Sequence, residues 1–158
     1  MQACEKKTSD DQLLLWTNVQ PQMNLDEIMT IYPQARIVKR ATHQNDADVV
    51  QYENTLIRDN IFTTEYILID GKLTHIELFP KEELTGLNAD TLFEELKEDL
   101  LLRYGNPFND VSNNITPAHS LRHLVWNIDH LKIYLYYAKD MGDIEGCILR
   151  VSFEFPRE

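Results

Sequence analysis

The chain has 158 residues, 43% of them hydrophobic, with 26 acidic and 15 basic side chains for a formal net charge of −11. That length suits one domain of the usual ~100–200 residues, with enough apolar material for a core that needs neither disulfides nor metal. Such acidity excludes the basic stripe that a nucleic-acid binder uses to displace phosphate counterions, works against docking on anionic lipid, and favours solubility.

No apolar run approaches the ~18 residues of a membrane span. The two cysteines, Cys4 and Cys147, are too few for a disulfide framework. Residues 1–12 are polar and are expected to form a disordered tail ahead of a single domain at 13–158. Within the tail, Ala3-Cys4 resembles the end of a bacterial lipoprotein signal, where a small residue precedes the cysteine that becomes the lipidated N-terminus. In that reading Cys4 carries a lipid anchor and Glu5 to Gln12 form a tether. In the alternative reading Met1 is the genuine start and Cys4 is an ordinary exposed cysteine.

Leu13 to Trp16 is a short apolar patch, expected to tuck onto the core. Asn24 caps a short helix, Leu25 to Tyr32, with Asp26 and Glu27 in its first turn and Pro33 stopping it. Strands are expected at 35–41, 49–57, 63–69 and 73–79, the last two flanking Asp70-Gly71, a pair suited to a tight hairpin. A longer helix is predicted from Ala89 to Tyr104, capped by Asn88 and ended by Gly105, with Leu92, Phe93, Leu96, Leu100 and Tyr104 on one stripe. The polar stretch 109–120 reads as a loop. Three alternating strands follow at 122–128, 132–138 and 147–155.

These elements predict an α+β fold with helices packed on an antiparallel sheet that has one covered and one partly wet face. The order helix, strands, helix, strands suggests two αβ modules in tandem, at about 23–80 and 88–155. Ile31-Tyr32-Pro33 and Tyr104-Gly105-Asn106-Pro107 close the two helices, and Asp70-Gly71 and Asp129-His130 mark a hairpin in each half.

Met23-Asn24-Leu25-Asp26-Glu27-Ile28, running on to Ile31-Tyr32-Pro33, resembles the signature of the BamE/SmpA small envelope lipoproteins, and the local design is similar to that of β-lactamase-inhibitor-like tandem αβ modules. Asn24 stands where that signature has a capping Thr. The glycines usual before Met23 and before the closing x-Pro are absent. The resemblance implies short helices on an antiparallel sheet, protein binding or scaffolding as the work, and a bacterial envelope as the setting.

Candidate chemistry is sparse. His75 and Glu77 share a strand face, but a zinc site needs three or four ligands. His119 and His123 are four apart, a metal spacing only on a helix, and no HExxH motif is present. Cys147 reads as a small buried hydrophobe in a strand. No serine has a nucleophile-elbow context and no glycine loop cradles phosphate. Glu82-Glu83 and Glu94-Glu95 are read as solvated acids. No metal, cofactor or catalytic residue is predicted.

The stronger lead is aromatic. Tyr134 and Tyr136 project from the face opposite Ile133, Leu135 and Tyr137, and tyrosines on a wet sheet face make good interface anchors. Alternatively the N-terminal segment covers that face, with Trp16 lying on it. The expected function is therefore a non-catalytic protein-binding or scaffold module of a bacterial envelope, periplasmic and lipid-anchored at Cys4. Two alternatives stand beside it: a cytosolic acidic inhibitor of a basic partner, and a hydrolase whose carboxylates meet from separate strands.

Overall fold

A computed structural model describes residues 14–41, 46–84, 86–116, 119–140 and 146–155. The element order is α1 (Leu25–Ile31), β1 (Arg36–Ala41), β2 (Asp46–Ile57), β3 (Asn60–Ile69), β4 (Lys72–Pro80), α2 (Gly86–Tyr104), β5 (Asn109–Thr116), β6 (His119–Ile128), β7 (Leu131–Asp140) and β8 (Gly146–Glu154). The fold is α+β, as the alternation and helical stripes imply. One helix and a four-stranded antiparallel run thus occur twice. The strands form one eight-stranded antiparallel sheet in the order β1-β2-β3-β4-β8-β7-β6-β5, so the last strand of each half meets the other at the centre. That seam pairs His75 to Leu78 with Glu154 to Val151.

Tight turns set the register. The two-residue connections Arg58-Asp59 and Asp70-Gly71 have φ of 50°, 65°, 54° and 79°, the left-handed pair that matches strand twist in a hairpin. Asp129 opens the β6–β7 turn at φ 53°. Asn24 caps α1 through a full capping box, accepting from the Glu27 amide at 2.9 Å while Glu27 Oε1 accepts from the Asn24 amide at 3.0 Å. Gly105 ends α2 at φ +83°, its amide donating to the Leu101 carbonyl.

Both helices lie on one face of the sheet. There Val50, Tyr66, Ile76, Phe153, Ile133 and Trp126 form a row straight across six strands, and all six are buried. Leu92, Phe93, Leu96 and Leu100 press onto this face from α2, Ile28 and Tyr32 from α1. The Tyr32 ring stacks on Tyr66 and the Phe93 ring on Tyr137, each pair 5.3 Å between centroids. The segment 14–19 bridges the helices: the Leu15 amide donates to the Tyr104 hydroxyl and the Asn18 amide to the Tyr32 hydroxyl.

Two sequence expectations need correction. The stretch expected as a loop at 109–120 contains β5 and the start of β6. An edge strand needs a ladder on one side only, so the polar run Asn109 to Thr116 pairs with β6 despite its low strand propensity. The long helix begins at Gly86, three residues ahead of the expected Ala89, which leaves Asn88 inside its first turn rather than at its cap.

Candidate functional site

The second face of the sheet carries no described helix. Because side chains alternate along a strand and directly paired residues share a face, register alone lists what this face displays. One row runs Arg36, Gln51, Glu65, Glu77, Ser152, Tyr134, Val125, Asn109. The row on one side of it contains Arg150, Tyr136, His123 and Val111, with Phe79 in contact with Arg150. The row on the other contains Val38, Val49, Ile67, His75, Glu154 and Lys132.

An aromatic and cationic cluster crosses its centre. His123 stacks on Tyr134 at 5.7 Å between ring centroids and 19° between planes, and meets Tyr136 edge-on at 5.9 Å. The Arg150 guanidinium lies 5.5 Å from the Phe79 ring centroid and pairs with Glu77 at 3.1 Å. Arg150 is exposed, and Tyr134, Tyr136, His123 and Phe79 are half-buried. Apolar residues extend the patch toward one end, where the cross-strand pair Leu56 and Ile61 is 67% and 50% exposed and Ile148, beside Ala138, is 55% exposed. Away from the Leu56–Ile61 end, the same face is closed on β2 and β3, with Val49, Thr63 and Glu65 buried. The Glu65 carboxylate accepts from Gln51 Nε2 at 3.0 Å.

The sequence-predicted site residues divide. Tyr134 and Tyr136 do come together on this face, beside a histidine not singled out with them. Trp16 lies apart from them, packed against the core on the helix side. Cys4 lies outside the described residues. His75 and Glu77 share the face as their spacing requires, but each is turned to a different partner: His75 Nε2 is 3.5 Å from Glu154, and Glu77 is on Arg150. His119 and His123 lie on β6, not on a helix. The adjacent acids of α2 are paired rather than merely solvated, Glu94 with Arg122 at 2.8 Å and Glu95 with Arg58 at 3.6 Å. Among the described residues no group of three His, Cys, Asp or Glu side chains could hold a metal ion, and no helix is long and apolar enough to cross a membrane.

Cys147 is half-buried at the margin of the helix-covered face rather than enclosed as a core hydrophobe. It sits directly opposite Lys139 on β7, near the Tyr137 hydroxyl, which donates to Asp90 of α2, while Lys139 pairs with Asp90 at 3.3 Å. Burial raises the thiol's pKa despite Tyr137 and Lys139, which disfavours the thiolate that a nucleophile requires.

The sequence alone does not join Phe79, Arg150, Ile148 and the Leu56–Ile61 pair into one surface. Strand parity held the signal, since Phe79 shares parity with His75 and Glu77, and Ile148 shares it with Arg150. Compared with protein-family models, with curated proteins and with solved structures, the chain matches none.

Proposed function

We propose that this chain is a non-catalytic protein-binding module that engages a protein partner through the helix-free face of its sheet. The observation that carries the reading is the Phe79–Arg150–Tyr136–His123–Tyr134 cluster continuing into exposed Ile148, Leu56 and Ile61. Aromatic residues and arginine are enriched at the centres of protein interfaces, and contiguous exposed apolar surface marks interaction sites. The placement of this module at a bacterial envelope, anchored at Cys4, belongs to the same proposal and rests on Ala3-Cys4 and on the resemblance carried by Met23 to Pro33.

The test is the double variant Tyr134→Ser/Tyr136→Ser. Both hydroxyl-bearing rings stand on the face away from the core, so the isolated domain keeps its melting temperature within a few degrees. The native complex, followed by size-exclusion chromatography of the tagged protein from its own cells, weakens by about 2 kcal/mol or more, the scale of an interface hot spot. A complex that survives the double variant intact contradicts the reading.

A further inference from the structure

Resting on that protein-binding reading, we infer that the partner is a folded protein whose apolar contact patch is ringed by lysine and arginine. The helix-free face is close to electrical balance, with Arg36, Lys132 and Arg150 against Glu65, Glu77, Glu154 and Glu53, the last of which pairs with Arg36 at 3.9 Å. The charge of the chain as a whole is −11, so most of the excess lies elsewhere. Part of it lies at the two ends of the sheet. Asp70 and Asp129 occupy the turns at one end, and Asp59, Glu82 and Glu83 stand at the other, all five exposed. Opposing them at those ends are exposed Lys72 and Lys81, while Arg58 is committed to acids of α2.

The turns do not require these carboxylates. Asp59, Asp70 and Asp129 hold φ of 65°, 54° and 53°, a left-handed conformation that Asn fills as readily as Asp. Three aspartates at three such places put acid at both mouths of a near-neutral, aromatic centre. A second copy of the chain, or an anionic lipid surface, would meet like charge there. A cationic ring on a protein partner would meet its complement, with attraction reaching about 8–10 Å into solvent at physiological salt to steer the encounter.

The probe is a yeast-displayed library of one small rigid scaffold, randomised over a single face. It is selected on the wild-type chain and depleted on a Tyr136→Ser/Ile148→Ser variant, so that binders to the helix-free face remain. Each surviving binder is then titrated against two charge-matched triples. Asp59→Asn/Asp70→Asn/Asp129→Asn strips acid from the sheet ends, and Asp26→Asn/Glu94→Gln/Glu98→Gln strips the same charge from the helix layer. Melting curves check that both triples are folded. The inference expects a loss of about tenfold or more for the sheet-end triple and under about threefold for the helix triple, because placed charge rather than net charge governs complementarity. Equal losses, or no loss with the sheet-end triple, overturn the cationic ring and leave the binding face standing. If no binder depends on Tyr136 and Ile148, the face reading falls and the inference with it.

Discussion

Arg58, the first residue of the β2–β3 turn, reaches across to α2 and grips Asp99 with both Nε and Nη2, at 3.2 and 2.8 Å. The same guanidinium bonds Glu98 at 2.8 Å and lies 3.6 Å from Glu95. A hairpin of the first half is thereby tied to the helix of the second. These hydrogen bonds, the one to Asp99 first, raise the arginine's pKa further. Arg58 also holds φ 50°, so Arg58→Asn removes the ion pairs while suiting the turn. That variant should lower the melting temperature in low salt, and the difference should vanish near 1 M salt, where screening acts within about 3 Å. Equal melting temperatures in low salt would show the clamp to be idle.

Leu96 is fully buried beneath α2, whereas Leu102 on the same helix is 81% exposed. Denaturant unfolding of Leu96→Ala should show a loss of about 2–5 kcal/mol, transfer and cavity terms together. Leu102→Ala should change stability by less than about 0.5 kcal/mol. Similar values for the two would mean that the helix presents a different stripe to the sheet.

Gly105 sits at φ +83°, and a Cβ built there meets nothing within 4 Å. Gly105→Ala therefore tests backbone strain without a clash. Its cost should be about 1 kcal/mol, the penalty for an L residue in the left-handed region, with Gly105→Asn costing less. The Trp126 indole N–H donates to the Gly105 carbonyl at 2.8 Å, so a much larger loss for alanine, with a change in Trp126 fluorescence, would show that the helix end itself had moved.

Burial raises the pKa of Tyr66, Tyr104 and Tyr137, and in Tyr137 the hydrogen bond to Asp90 adds to it. In the unfolded chain these phenols ionise near pH 10. Between that value and the higher folded one the native state holds more protons than the unfolded state, so stability falls as pH rises. Stability from these three groups should be fully present below about pH 10 and lost above it. Absorbance at 295 nm should rise in step with alkaline unfolding, and Tyr137→Phe should shrink that step. Free ionisation of all three phenols before any loss of far-UV signal would contradict their burial.

What the sequence made legible was whatever two periodicities encode. The Leu92–Leu96–Leu100 stripe, the alternation of Leu149, Val151 and Phe153, and the Asp70-Gly71 turn fix the helix face, the sheet face and one hairpin. The strand β5 escaped because Asn, Asp and Ser at 109–114 carry no alternation and an edge position tolerates them. The second left-handed hairpin escaped because Arg58-Asp59 lacks the glycine that advertises such turns. The candidate face was half legible. Tyr134 and Tyr136 were on it by parity, yet their neighbours Phe79, Arg150 and His123 come from three other strands, and strand order is a tertiary fact. Trp16 illustrates the converse, an aromatic near the start of the chain whose partner surface only the packed helices decide.

Docking of a protein on the helix-free face is tested by placing a photo-activated benzoylphenylalanine at Tyr136, at Ile148 and at Leu102 in separate copies of the full chain. Each is irradiated in the cells that make the protein. Tyr136 and Ile148 lie on the proposed face, and Leu102, on α2, is more open to solvent than either. The expected result is one discrete protein adduct, shared by the Tyr136 and Ile148 positions and missing at Leu102. An adduct at Leu102 with none at Tyr136 or Ile148 would contradict docking on that face.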